Sequence, residues 1–240
     1  MLTKEQLQII INRSQTNKQN VFREYAQHLF LSSLYRTKGS EKLLFKGGTA
    51  YRIAYKSPRF SEDLDFSATE INLKQIEELI LKVLEDLENV GLKPLIEVSK
   101  ETTGGYLAKL SISIYEENVI ISIQISQRAE IKSENNVVDI LNEYVSTYQA
   151  ILLSERMMIG EKIQASLTRS KPRDFYDIYF LLKNGFLTSN EKDSLVRVKQ
   201  VLLKKKIKFK EELSNFLPRS MKMMVDSFPK PLINEINKFF

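Results

Sequence analysis

LLFKGGTAYRIAYKSPRFSEDLDFS, residues Leu43–Ser67, joins a short apolar run to a double glycine and a hydroxyl, then carries Asp63-Leu64-Asp65 inside a second run of strand-forming residues. Successive side chains on a strand point to opposite faces, so Asp63 and Asp65 share one face while Leu64 and Phe66 occupy the other. Two ionised carboxylates on one face repel each other unless a cation lies with them. Hard oxygen ligands of this kind suit magnesium or manganese held together with phosphates. Gly47 and Gly48 allow a close backbone approach to such phosphates, and Thr49 adds a hydroxyl and a helix cap.

Upstream, Thr3 and Gln6 form a capping-box signature for a helix to about Arg13. A second helix is expected from Asn20 to Arg36, with Phe22, Tyr25 and Leu29 on one stripe and Lys38-Gly39-Ser40 as its stop. His28, the only histidine, lies beside that stripe and reads as a packing or surface residue. The stretch itself predicts a strand over Leu43–Lys46 and a short helix around Thr49–Tyr55 before the Asp-Leu-Asp strand. Downstream, Asn72 and Gln75 repeat the capping box, and apolar residues at helical spacing run from Leu73 to Leu87 until Gly91 and Pro94. Strands are expected near Leu95–Ser99, Tyr106–Tyr115 and Val119–Ser126, the last two joined through Glu116-Glu117-Asn118. In the third, Ser122, Gln124 and Ser126 form a polar ladder opposite Ile121, Ile123 and Ile125, the pattern of a site face.

From about Ser146 the pattern turns helical without a Pro- or Gly-rich linker, which divides the chain into residues 1–145 and 146–240. Leu152 to Arg169 has helical periodicity, and a further helix starts after Ser170-Lys171-Pro172 and stops at Gly185. The rest reads as helices, with the basic run Lys204-Lys205-Lys206-Ile207-Lys208-Phe209-Lys210 suited either to a nucleic-acid backbone or to coating a helix.

The chain has 240 residues, 42% apolar and 28% charged, enough for one large or two small domains with a core. With no cysteine, disulfides and thiolate metal sites are excluded, and a reducing cytoplasm is the natural setting. The first twenty residues lack a secretory h-region, and no apolar run approaches the roughly 20 residues that span a bilayer, so a soluble, cytoplasmic protein is expected. The net charge of +6 is matched by the segment Asn190–Lys222 alone, where ten Lys or Arg face four Asp or Glu. Such a segment suits a polyanionic partner or a solvated helix face.

Phe45-Lys46-Gly47-Gly48-Thr49-Ala50 followed by Arg59-Phe60-Ser61-Glu62-Asp63-Leu64-Asp65 resembles the AbiEii/AbiGii toxin family, and so does Glu161-Lys162 with Ala165, Arg169, Arg173-Asp174 and Tyr176-Asp177. The resemblance covers roughly Phe22 to Leu182. It implies an α+β fold, a nucleotidyltransferase domain of the DNA polymerase beta type with a mixed sheet, followed by a helical domain, with the nucleotide held between them. It implies a metal-dependent enzyme of a toxin–antitoxin or phage-defence system that moves a nucleoside monophosphate from a nucleoside triphosphate to an acceptor. The acceptor it favours is RNA, at the 3′ end of transfer RNA, and a cognate antitoxin is the expected partner. Carried over by position, Asp63 and Asp65 hold magnesium or manganese, and Lys162 and Asp174 complete the catalytic set. Lys46, Gly47, Gly48, Thr49, Arg59, Ser61 and Arg169 bind the nucleotide.

In charge terms, Lys162 can neutralise phosphate oxygens, and Asp174 can orient it or act as a base. Equally, Asp174 in a first helical turn complements the macrodipole, and Arg173 to Asp177 has i,i+4 spacing for an ion pair. The chain departs from the family at Gln124, where the third carboxylate is expected. One metal then suffices, or the second is weakly held, or Glu130 reaches in, or the site binds nucleotide, RNA or protein without transfer.

Overall fold

The computed structural model describes residues 1–127 and 136–239, which form two units. The first comprises Met1–Lys56 and Phe60–Ser154; the second comprises Ser57–Arg59 and Glu155–Phe240.

The first unit opens with helices α1 (Lys4–Ser14) and α2 (Lys18–Leu34). Strand β1 (Leu43–Lys46), helix α3 (Gly47–Ile53), strand β2 (Asp63–Ala68) and helix α4 (Leu73–Asn89) follow. Strands β3 (Lys93–Thr102), β4 (Gly105–Ile114), β5 (Glu117–Gln127), β6 (Asn136–Ile140) and β7 (Tyr148–Leu152) complete it. Both capping boxes form: Thr3 and Asn72 accept from the backbone N–H groups of Gln6 and Gln75, whose side chains accept in return. The helix α2 starts earlier than expected because Asn17 caps it through the Asn20 N–H, and α3 starts at Gly47 itself.

The seven strands form one mixed sheet in the order β3-β4-β5-β2-β1-β7-β6. Here β2 runs parallel to β5 and β1 parallel to β7, and the other pairs are antiparallel. The β4–β5 turn falls at Tyr115-Glu116, one residue before the expected place, with Tyr115 in the left-handed region at φ 56°. The helix α2 packs on α4 and lies against β5 and β7, and Ser33 Oγ on α2 donates to Asp86 Oδ2 on α4 at 2.6 Å. Alternation along β2 and β5 buries Leu64, Phe66, Ile121, Ile123 and Ile125 and turns the acidic and amide side chains to the opposite face.

Strands β6 and β7 are additions to the elements expected from sequence. Tyr148-Gln149-Ala150-Ile151-Leu152 has the pattern of an approach to a helix, yet it pairs with β1 and β6, so the helical part begins at Glu155 and not near Ser146. A five-residue run of this kind is ambiguous in period, and the vacant edge of β1 decides it. Glu130 lies outside the described residues.

The second unit holds α5 (Glu155–Thr168), α6 (Pro172–Lys183), α7 (Lys192–Lys204), α8 (Phe209–Phe216), α9 (Lys222–Ser227) and α10 (Lys230–Asn237). The helix α6 is its centre, with α5, α8 and α10 against it and Phe175, Tyr176, Ile178 and Leu181 buried. Lys204 ends α7 and Phe209 begins α8, so the basic run is mostly a connection whose lysines face solvent.

Candidate active site

Register alone assembles the first unit's site. Pairing places Lys46 opposite Asp65 and Asp65 opposite Gln124. Pairing also sets Asp63 beside Ser122, and Ser122 opposite Lys109 on β4. These six side chains line a cavity of about 720 Å3. Arg23 of α2 and Glu62 line it as well, so three cations, Arg23, Lys46 and Lys109, share it with three acids, Glu62, Asp63 and Asp65.

Two supports position the carboxylates. Gly47 sits at φ 82°, and a Cβ there would come within 2.1 Å of Asp65 Oδ2, so the carboxylate occupies the space that a side chain would fill. The freedom assigned to Gly47 for a phosphate is used by Asp65. Thr49, fully buried, donates its hydroxyl to the Asp63 backbone carbonyl and so ties α3 beneath the start of β2. Gly48 and Thr49 are buried and do not line the cavity. Lys46, 7% exposed, donates from Nζ to Ser126 Oγ at 3.0 Å.

From α2, Gln27 Nε2 donates to the carbonyls of Ser61 and Glu62 at 3.1 and 3.0 Å, fixing the approach to Asp63. Among the described residues, Ser61 enters this arrangement through its backbone carbonyl. Among the described residues no group of three or more His, Cys, Asp or Glu could hold a metal ion. Strand register brings together the Asp63 and Asp65 carboxylates and the Gln124 amide, while the third lining acid, Glu62, has its Oε1 3.4 Å from Arg23 Nη1. This fits a hard divalent cation that keeps part of its shell as water or phosphate oxygen, because magnesium is commonly held by one or two carboxylates plus substrate phosphates.

The other expected residues lie in the second unit. Arg59, 2% exposed, sets its fork on Asp177: Nε donates to Oδ1 at 2.8 Å and Nη2 to Oδ2 at 2.9 Å. Lys162 Nζ stands 2.8 Å from Asp177 Oδ2. Burial pushes the Asp177 carboxyl up, but the Arg59 and Lys162 cations outweigh it and hold the group below the usual range. Asp174, fully buried, accepts two bonds from Arg169, at 2.8 Å from Nε and 2.7 Å from Nη2. The residue orienting Lys162 is thus Asp177, and the spacing-based Arg173–Asp177 pair does not form, because Arg173 Nε approaches Glu212 Oε1 at 3.8 Å.

Arg23, Glu62 and Lys109 were not singled out from sequence. Lys109 was within reach of the alternation that exposed the Ser122-Gln124-Ser126 ladder, whereas Arg23 carries no local signal. In comparisons with known proteins, residues 29–236 match a family model described as "Nucleotidyl transferase AbiEii toxin, Type IV TA system". No curated protein matches the chain. Among solved structures it is similar to a proposed nucleotidyltransferase from Helicobacter pylori, at 22% identity and TM-score 0.61 over 93% of both chains. It is also similar to JHP933 from Helicobacter pylori, at 21% identity and TM-score 0.58 over 93% of this chain and 90% of that one. At such identities the likeness is one of fold.

Proposed function

Because the chain belongs to the AbiEii nucleotidyl transferase toxin family of type IV toxin–antitoxin systems, we propose that it transfers a nucleoside monophosphate from a nucleoside triphosphate to RNA, at the 3′ end of transfer RNA. The observation that carries this reading is the pairing of Asp63 and Asp65 on one strand face, with Lys46 and Lys109 in the same cavity. Asp63 and Asp65 would hold magnesium, which when bound neutralises charge on the triphosphate. Lys46 and Lys109 add fixed positive charge, and Gly47 keeps Asp65 in place. The acceptor hydroxyl gives up its proton to solvent as its oxygen attacks the α-phosphorus, a new P–O bond forms, the α–β anhydride bond breaks, and pyrophosphate leaves. The protein acts in the cytoplasm, in phage defence or growth arrest, opposed by a cognate antitoxin.

Lys162 and Asp174, which the resemblance places in the catalytic set and whose charges suit phosphate neutralisation and lysine orientation or proton transfer, each have a partner within the second unit. Transfer rates and thermal midpoints of K162Q and D174N separate a chemical part from a structural one. Loss of transfer at a native midpoint supports chemistry, and parallel loss of both assigns the residue to the fold.

The test is incubation with magnesium, each α-labelled nucleoside triphosphate and total cellular RNA, beside Asp65→Ala. Label in RNA that vanishes in the variant supports the reading; label that survives nuclease and is lost to protease moves the acceptor to protein. Gln124, exposed beside Asp65 where a third carboxylate is expected, favours a second reading in which nucleotide is bound without transfer. Nucleotide binding without label in any acceptor, and transfer gained by Gln124→Glu, would select it.

A further inference from the structure

Arg23 rises from α2 to the same cavity, its side chain 13% exposed. Its Nη1 stands 3.4 Å from Glu62 Oε1, long for a charge-assisted contact. Its Nε is shut off from solvent and has no hydrogen-bond partner among the described residues. A buried N–H without an acceptor is unfavourable, so this nitrogen is suited to one supplied from the cavity. Glu62 immediately precedes Asp63, and both line the cavity. If Asp63 and Asp65 are given to a cation, Glu62 is the one acid of the three left to face the guanidinium.

We propose that Arg23 is a phosphate-binding residue of this cavity, and that Glu62 faces one end of its guanidinium until a nucleoside triphosphate arrives and takes the guanidinium over. The proposal rests on the nucleotidyl-transfer reading above and adds a ligand to it. A planar guanidinium can offer two parallel N–H donors to a phosphate, which a lysine in its place cannot. Gln27, one helical turn further along α2, ties that helix to the Ser61 and Glu62 carbonyls, so Arg23 is carried on an element already fixed to the segment that presents Asp63.

Calorimetric titration of the full chain with magnesium and each ribonucleoside triphosphate tests it, using the native protein, R23A, R23K and E62Q, with thermal midpoints measured beside each. R23A should weaken triphosphate binding about tenfold or more at a near-native midpoint, as one or two charge-assisted hydrogen bonds disappear. R23K should recover only part of the affinity, and E62Q should tighten binding by removing the competing carboxylate. Native binding with an unchanged affinity in R23A overturns this proposal alone, and so does an E62Q that loses affinity as R23A does, which makes the pair structural. A native protein that binds no triphosphate overturns the transfer reading together with it. A parallel titration with a short single-stranded RNA separates the two sources of phosphate: loss of RNA binding in R23A with triphosphate binding intact puts the guanidinium on the acceptor and refutes the assignment.

Discussion

At Gly47 a single hydrogen atom decides whether the candidate site can exist. Gly47→Ala must both hold an L residue at φ 82° and clear Asp65 Oδ2 from 2.1 Å. The left-handed backbone alone costs about 1–2 kcal/mol, and the clash turns Asp65 away from the cavity. The variant should lose at least that much stability by urea titration, together with magnesium-dependent nucleotide binding; native values for both would show that the close approach is dispensable. His28 supplies a second test, of pH. Buried at 3% exposure, its Nδ1 lies 2.9 Å from the Tyr148 hydroxyl and its ring stacks on Tyr144. Burial, helped by Lys56 and Arg52 against the pull of Glu24, pushes its pKa down to about 4. An unfolded histidine titrates near 6.5, so between these values the unfolded chain binds the extra proton. Stability should therefore be independent of this group above pH 6.5 and fall as pH drops toward 4, by on the order of 3 kcal/mol in all. Urea midpoints at pH 7.5, 6 and 5 should show this slope in the native protein and lose it in H28N, since this is the only histidine in the chain. Equal slopes would place the sensitivity in other groups.

At the scale of elements, α6 carries two buried carboxylates one turn apart, and each is held by a fork from elsewhere in its own unit. They differ in what they leave behind. Asp177→Asn removes the carboxylate charge that Arg59 and Lys162 share, and their side chains are only 2% and 11% exposed, so about 3–5 kcal/mol of stability should be lost. Asp174→Asn removes a charge facing Arg169, whose side chain is 49% exposed and can be hydrated, so its loss should be smaller. Chemical denaturation of the two variants checks the order, and a reversed order would mean that the Arg59–Asp177–Lys162 cluster does not hold the helices. Proline at the start of α6 and both capping boxes were legible in sequence because they are local signals. The pairing of Asp177 with Arg59, 118 positions apart, was not, since i,i+4 spacing offered Arg173 as the nearer candidate.

For the molecule as a whole, the surplus charge of +6 is concentrated in the second unit's sequence. Exposed Lys206 and Lys208 flank a cleft of about 600 Å3, also lined by Lys205, which donates to Ser170 Oγ at 2.8 Å. If this surface carries RNA, K206E/K208E should weaken binding uniformly across sequences. It should also flatten the dependence of log K on log salt, by roughly 0.7 for each single-strand phosphate that is no longer neutralised. Nucleotide binding, which belongs to the first unit's cavity in our reading, should stay native. An unchanged salt slope would return these lysines to the role of solvated surface.

By itself the sequence determined the mixed α/β class, the shared face of Asp63 and Asp65, the polar ladder through Gln124 and the family to which the paired motifs point. The shared face and the ladder are written in the strand period of two, which makes them independent of the rest of the chain, while the fold class follows from the family resemblance that the motifs carry. Tertiary structure decided which strands are neighbours, and so it set Gln124 and Lys46 on either side of Asp65, added β7 to the free edge of β1 and brought Lys109 and Arg23 to the cavity. It also decided what each charge does: Gly47 makes room for Asp65, and Asp177 rather than Asp174 holds Lys162. The physical reason is that a carboxylate's role is set by the cations packed against it, and sequence spacing fixes that packing only within a helical turn or along a single strand.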